Sequence, residues 1–375
     1  MGCTFGIEEE YLLLDLDSGR LLEDPPPRVL AICREVMGEH FAPEMFRSQI
    51  ELVSPVFDGV AQARDFFAAR REQLALQGSG EKVGLLPAGM HPPGGWTQQR
   101  PTAEAHYRQL FEDYRQVARR SVVCGLHVHV AVPQGVDRIA VSNRVRQWLP
   151  LLLLLSASSP FWEGQDSGYC SYRRVLCGEW PRMGLPEPLA DWAAYERYLA
   201  FLHDSGSLRP DADCWWALRP SSRFPTLELR ISDACPRLED GLCIAALFRQ
   251  MVEWAVSQSG PGSAPDQRTL WREQENYWRA MRFGRRGQYL DEDGASRTAQ
   301  QWLDETQNIL QPGSDETRLA FNHAASILLF GTSADRQLTT FALARQSGAS
   351  HPRALRMVVE QLLEDTAQFQ ASSFK

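Results

Sequence analysis

The sequence predicts an α+β fold built on a largely antiparallel sheet, and three observations lead there. Strand-like alternation and helical periodicity interleave irregularly along the 375 residues, without the regular βαβ repeat of a doubly wound sheet. Four segments alternate apolar and polar residues, and their polar positions carry Glu, His or Arg. The longest apolar run, WLPLLLLLSA at 148–157, falls well short of the ~20 residues that span a bilayer and reads as a core helix.

Taken in order, the first strand is expected over 4–15, FGIEEEYLLLD being its centre. Alternation places Phe5, Ile7, Tyr11 and Leu13 on one face and Glu8 and Glu10 on the other, with Glu9 the outlier on the apolar side. A second strand over 48–54 carries Glu51 between Ile50 and Leu52, with Glu44 seven residues earlier. Helical periodicity follows at 60–77 and 103–120. The strand at 122–132, CGLHVHVAV, turns Leu126, Val128, Val130 and Val132 one way and His127 and His129 the other. After helical periodicity at 136–157, TLELRISD (226–233) gives a fourth strand over 225–232, with Leu227, Leu229 and Ile231 inward and Glu228, Arg230 and Ser232 outward. Helices are expected at 238–258 and in several segments after 297.

Two punctuated stretches, 86–102 and 257–267, read as loops, and the second precedes a C-terminal helical part of about 268–375. With no repeat, low-complexity tract or long linker, one catalytic domain over 1–375 is the simplest organisation.

A net charge of -8 argues against a general nucleic-acid surface, because backbone phosphates demand an excess of basic groups on one face. The two lysines, Lys82 and Lys375, lie in no GxxxxGK[ST] loop, so a polyphosphate must be neutralised by arginines and metal ions. Eight cysteines without a CxxC pair, and a start lacking a secretory pattern, give the expectation of a reduced, cytoplasmic protein with no membrane partner.

Any one polar strand face is unremarkable. Four that carry Glu, Glu, His, His, Glu and Arg describe a single sheet with an apolar back and a polar front lining a cavity. Carboxylates crowded there raise one another's pKa, and divalent cations relieve the crowding. Hard oxygen donors with an imidazole suit Mg²⁺ or Mn²⁺ better than a closed Zn²⁺ site.

FGIEEEY, SQIELVSP, GLHVHV, RPSSRFPTLELRISD and ENYWRAMRFG, in this order over roughly residues 4–284, together resemble the type 2 glutamate–cysteine ligase family, in particular its YbdK-like carboxylate–amine ligase branch. A more distant likeness to glutamine synthetases rests on similar E-x-E, G-M-H-x-H and E-x-R-x-x-D strands. The resemblance implies a curved antiparallel sheet forming a half-funnel, with ATP entering at one end and the acid at the other. It implies that Glu8, His127 and Glu228 hold the metal nearest the ATP phosphates, and that Glu10, Glu44 and Glu51 hold a second one near the acid. It also implies a homodimer, and L-glutamate and L-cysteine as small-molecule substrates, although the YbdK-like branch is associated with only weak activity of that kind.

Arginines beside a metal cluster suit phosphoryl transfer, since guanidinium forks pair with phosphate and carboxylate oxygens. Arg219 and Arg230 are assigned to the chemistry, and Arg223, Asn276, Arg279 and Arg282 to the nucleotide. Arg285 and Arg286 read as a solvated turn. A free carboxylate is a poor electrophile, so the expected reaction is γ-phosphoryl transfer from ATP, giving an acyl phosphate that an amine attacks. His129 and Glu51 are both placed to take the amine's proton, and His129 equally to orient a ligand. A metal-dependent hydrolase would use the same Glu/His cluster without ATP, and a non-catalytic binding relative is the third reading.

Overall fold

Eleven residues in strict alternation form β1 (Phe5–Asp15), and three further strands pair with it directly. The computed structural model describes residues 2–209, 213–258 and 263–368. After β1 come α1 (Pro27–Met37), β2 (Phe41–Pro43), β3 (Gln49–Val53), α2 (Val60–Gly80), β4 (Val83–Leu86), α3 (Ala105–Arg120) and β5 (Leu126–Ala131). The middle of the chain holds α4 (Arg138–Val145), α5 (Leu149–Ser156), the small hairpin β6 (Phe161–Trp162) and β7 (Gln165–Asp166), α6 (Arg173–Cys177), α7 (Trp192–Asp204), β8 (Leu218–Pro220) and β9 (Thr226–Leu229). Then follow α8 (Leu238–Ser257), α9 (Gln267–Phe283), the hairpin β10 (Gln288–Leu290) and β11 (Ser296–Thr298), α10 (Ala299–Leu310), α11 (Asp315–Phe330), α12 (Ser333–Gln346) and α13 (His351–Thr366).

Seven strands make the main sheet in the order β2-β3-β1-β5-β9-β8, with β4 paired to the far half of β1, and every pairing is antiparallel. The sheet is open. Its two edge strands have three residues each and end in Pro43 and Pro220, where a missing N–H is tolerated and further strand addition is discouraged.

The apolar back of the sheet, from Phe5, Ile7, Tyr11 and Leu13 to Ile50, Leu52, Leu126, Val128, Leu227 and Leu229, joins one core with Phe67 and Leu74 of α2 and Leu242 and Phe248 of α8. Trp302 and Phe321, on α10 and α11, belong to that same core, so the C-terminal helices close over the sheet's helical layer. The apolar run at 149–156 is the wholly buried helix α5. Pro150 in its first turn cannot donate to a preceding helical turn, which is why the periodicity at 136–157 resolves into α4, a short 3₁₀ turn and α5.

Several short elements escaped the periodicity analysis. β2, β4 and β8 have three or four residues, too few for an alternation to register. ENYWRAMRFG lies on α9, whose polar residues hide its period. Of the expected loop 257–267, residues 259–262 lie outside the described residues, as does 369–375 of the C-terminal part. All eight cysteines are free thiols, and no helix among the described residues is long and apolar enough to cross a membrane.

Glu9 on the core side of β1 is resolved by α2. Arg71 shares the buried face of that helix with Ala63, Phe67 and Leu74 and pairs with Glu9, both side chains being essentially inaccessible. Arg71 Nε donates to Glu9 at 3.1 Å, its terminal nitrogens donate to the carbonyls of Pro236 and Cys235 at 2.6 and 3.0 Å, and the Tyr11 hydroxyl donates to Glu9. Burial disfavours the Arg71 charge, but Glu9 outweighs it and raises the guanidinium pKa. Removing one partner of a buried pair strands the other charge and costs about 3–5 kcal/mol. Arg71→Met is therefore expected to lower the urea-unfolding free energy by about that amount, and adding Glu9→Gln to restore part of it. Equal losses in the single and double variants would show that the stranded carboxylate is not the cause.

Candidate active site

Strand register assembles the polar front of the sheet. Across β1 and β3, Glu10 stands opposite Glu51; across β1 and β5, Glu8 stands opposite His127; across β5 and β9, His129 stands opposite Glu228; and Arg219 on β8 faces Glu228 from the other side. Directly opposed residues lie within side-chain reach. Five strands thus carry one row of charge across the sheet, Glu51–Glu10, Glu8–His127, His129–Glu228–Arg219.

Three overlapping groups in that row have donor atoms mutually within 4.8 Å: Glu8, His129 and Glu228; Glu8, Glu51 and His127; and Glu10, Glu44 and Glu51. The third is the triad expected for a metal near the acid. The first differs from expectation, because His129, not His127, completes the set with Glu8 and Glu228. The reason is register: His129 is the residue that β5 places opposite Glu228. Its Nδ1 is engaged by the Thr226 hydroxyl at 3.1 Å. Its buried Nε2 has no hydrogen-bond partner although it lies 3.3 Å from Glu8 and 3.9 Å from Glu228. An orphaned imidazole nitrogen between two carboxylates is positioned as a third donor of that group. His127 bridges the groups, its Nδ1 3.2 Å from Glu8 and its Nε2 3.6 Å from Glu10. Burial, then Arg230, lowers its pKa and favours the neutral ring.

Glu44 precedes β3 and reaches the row through the end of the 86–102 loop. Thr102 donates its amide to the Met45 carbonyl at 2.9 Å and its hydroxyl to the Glu44 carbonyl, and Arg47 donates its amide to Arg100 at 3.0 Å. That loop thus positions Glu44, and none of its residues up to 102 lines the acidic cavity. His91 within it is structural, bonded at 3.0 and 2.9 Å to the carbonyls of Gly94 and Gly19.

The two ends of the row differ electrostatically. Burial pushes the Glu228 carboxyl up, but Arg230 and Arg219 outweigh it and hold it at about 2; Arg219 Nε donates to it at 2.7 Å and Arg230 pairs with its other oxygen. Burial likewise opposes the Glu8 charge, yet the imidazoles of His127 and His129 beside it hold that carboxyl well below the usual range. At the other end burial and then Glu10 push Glu44 up to about 8, and burial, then Glu8 and Glu44, raise Glu51 well above its ordinary value.

A cavity of about 310 Å³ opens on Glu8, Glu10, Glu44, Glu51, His127 and Arg230, with Leu110, Trp180, Met183 and Trp215 as its apolar wall. A second, apolar one of about 270 Å³ begins at Glu8 and His129 and runs between Phe5–Ile7, Val53–Val56 and Phe224–Thr226. Arg223 is exposed beside Phe224, 5.5 Å from that ring. The α9 residues expected at the nucleotide line neither of these two cavities: the Asn276 amide is closed on both ends by the Leu290 backbone at 2.9 and 2.8 Å, Arg279 is held by Glu275 and the Gln288 carbonyl at 2.7 Å each, and Arg282 donates to the Gly168 carbonyl. They brace β10. Arg285 and Arg286, read as a solvated turn, both pair with Asp335. Sequence reasoning missed Gln49, Tyr107 and Arg173, which line the acidic cavity; only Gln49 had a signal, its even spacing from Glu51.

The raised carboxyls set a pH dependence. Between about 4.5 and about 8 the folded protein holds a proton on Glu44 that the unfolded chain has released, so with chelator present stability falls as pH rises, by up to about 1.4 kcal/mol per pH unit for each such group. Glu8 and Glu228, held low, act in the opposite sense only below about 4.5. Chemical denaturation in EDTA across this window measures the slope, which Glu44→Gln should flatten and Mg²⁺ reduce; a slope unchanged in Glu44→Gln removes Glu44 as its source.

Comparison with known proteins adds a lineage to this geometry. The profile of the family described as glutamate-cysteine ligase family 2 matches residues 4–361. A Pseudomonas entomophila protein named "Putative glutamate--cysteine ligase 2" is 54% identical over 363 residues, covering 96% of this chain and 95% of that one. The Pseudomonas putida protein of the same name is 53% identical over 358 residues, 95% and 97% of the two chains. Among solved structures, a glutamate–cysteine ligase from Francisella tularensis in complex with AMP superposes with a TM-score of 0.64 at 13% identity, over 98% of this chain and 93% of that one. A bifunctional glutathione synthetase from Pasteurella multocida gives 0.66 at 15% identity, covering 99% of this chain and 53% of that larger protein. At such identities the structural likeness is one of fold, whereas the profile and the close relatives span nearly the whole sequence: the chain belongs to the glutamate–cysteine ligase family 2.

Proposed function

We propose that this protein is an ATP-dependent carboxylate–amine ligase that activates an acid as its acyl phosphate and joins it to an amine, with L-glutamate and L-cysteine as the family's pair. The observation that carries this reading is the row of three overlapping acidic and imidazole groups, in a chain that belongs to this family over residues 4–361. The donor set fits divalent cations: mostly carboxylate oxygens, a buried imidazole nitrogen without a partner, and two carboxyls raised by burial and then by neighbouring carboxylates. Glu8, His129 and Glu228 would hold one Mg²⁺ or Mn²⁺, and Glu10, Glu44 and Glu51 another. Bound there, such ions supply charge neutralisation and alignment of phosphate and carboxylate oxygens.

The chain's own groups do the rest by position. Arg219 and Arg230 keep Glu228 ionised and set positive charge where phosphoryl oxygens must sit. The apolar cleft beside Glu8 and His129, flanked by Arg223, suits a flat base, so the nucleotide is placed at that end and the acid at the Glu10–Glu44–Glu51 end. Leu110, Trp180, Met183 and Trp215 keep water from the acyl phosphate. The hydrolase reading needs no second, apolar cleft at the acid row and no ATP; the ligase reading accounts for both.

An ADP-release screen, L-glutamate against a panel of amines and then the reverse panel of acids, tests the proposal. Turnover should require both partners and a divalent ion, and Glu8→Ala and Glu228→Ala should each lower it about 10³-fold, the several kcal/mol expected of a metal ligand, while remaining folded. Either variant retaining full turnover would remove the residue from the site, and substrate loss without ATP would favour the hydrolase.

A further inference from the structure

A third cavity lies apart from the acidic cavity and the apolar cleft and shares no lining residue with either. It holds about 400 Å³ between α9, the turn of the β10–β11 hairpin and α10. Two arginines line it, Arg272 of α9 and Arg297 of β11. Arg297 lies over the Trp302 ring, 4.6 Å from its centroid, and pairs with Glu305. Its Nε is buried without a hydrogen-bond partner, and burial opposes its charge more than Glu305 supports it, which lowers the guanidinium pKa. Arg272 is half-buried, adds a second positive charge beside Arg297, and makes no hydrogen bond or ion pair among the described residues. A buried N–H without an acceptor forfeits its hydration and is rare in folded proteins, so this pair calls for acceptor oxygens from outside the chain.

The carboxylates around the cavity divide into committed and free. Glu273 accepts Arg146 Nε at 2.7 Å, and that arginine, 2% exposed, still keeps one terminal nitrogen without a partner. Glu305 is closed on Arg297, and Asp291 accepts the amides of Asp293 and Ala295 at 3.0 and 2.8 Å. Glu292 and Asp293, exposed at the hairpin turn, also line the cavity, and no cation is paired to either among the described residues. That turn opposes a simple anion, and the arginines oppose a simple cation. A small molecule carrying both charges is complementary to both sides. Ile309, 44% exposed, adds apolar lining against which an uncharged side chain can rest.

We propose that this cavity is a second, non-reacting site for a zwitterionic α-amino acid with an uncharged side chain, its carboxylate held by Arg272 and Arg297 and its ammonium by Glu292 and Asp293. The site is independent of the ligase reading, and it is tested by binding without turnover. The full-length protein in EDTA, without nucleotide, is titrated calorimetrically with L-alanine, L-leucine, L-methionine and L-glutamine, of which at least one should bind. The tightest of them is then compared with its N-acetyl form, which lacks the ammonium, and with the corresponding amine, which lacks the carboxylate. Each derivative should bind about 10- to 100-fold more weakly, the loss of one charge-assisted contact. Arg272→Gln should weaken binding by a like factor, and Arg272→Lys, which keeps the charge without the fork, should fall between. Glu51→Gln should bind as the unsubstituted protein does, which places the event outside the acid row. Binding by none of the four, equal binding of either derivative, full affinity in Arg272→Gln, or lost binding in Glu51→Gln would each overturn the assignment. Inorganic phosphate that binds as tightly as the amino acid and displaces it would overturn it too, leaving a plain anion site. Should Arg272→Gln fail to fold, the two derivatives and Glu292→Gln in the exposed turn, expected to weaken binding as the N-acetyl form does, decide it.

Discussion

Everything at the site depends on the register of β1 between β3 and β5. Glu10 opposite Glu51 and Glu8 opposite His127 are consequences of that pairing alone, and a shift by one residue would turn the whole acidic set into the core. The pairing is also electrostatically costly, because like charges directly opposed across strands destabilise the sheet. What holds β1 in register is its other face. Phe5, Ile7, Tyr11 and Leu13 enter the main core, and Glu9, flanked by residues of the polar front, is locked from behind by Arg71. The buried ion pair is therefore directional: a slipped β1 would leave Arg71 without its counter-ion. Register specification is the best attested role of such pairs.

The three-residue rhythm of Glu8, Glu9 and Glu10 thus divides between two tasks. The outer two build the site and the middle one fixes the strand. The chemistry of the two faces differs as burial requires: Glu9 meets a guanidinium in a dry core, whereas Glu10 shares a cavity with Glu44 and Glu51.

Much of this was legible in the sequence, because alternation of period two is readable wherever a strand is long enough. Phe5 to Leu13, Leu126 to Val130 and Leu227 to Ile231 revealed both the apolar back and the polar front. What could not be read is how strands meet. His127 and His129 share a face by spacing, but which of them stands opposite Glu228 is decided by the β5–β9 register, a relation between segments some hundred residues apart. Arg173 lies on a helix of five residues, too short for any periodicity, and its neighbours Gly125 and Ser159 arrive from elsewhere in the chain. The partners of the α9 motif were hidden for the same reason: Asn276, Arg279 and Arg282 have the donors of a nucleotide site, and the structure shows them bonded to Leu290, Gln288 and Gly168.

The asymmetry of the row follows from where the arginines fall. Arg219 and Arg230 compensate Glu228 and, against its burial, hold its carboxyl at about 2, so that it is ionised at neutral pH. Among the described residues no arginine is closed on Glu44 or Glu51; burial first, and then the neighbouring carboxylates, raise both. A cation at Glu8, His129 and Glu228 must therefore share its carboxylate with two guanidinium groups, and gains less from the protein alone. A cation at Glu10, Glu44 and Glu51 relieves repulsion already present in the fold. Negative charge brought by a phosphate satisfies the first end, where arginines are in excess, and positive charge satisfies the second. The same sheet thus presents opposite deficits a few residues apart, so negative charge moved from the arginine end toward the carboxylate end needs a cation there to receive it.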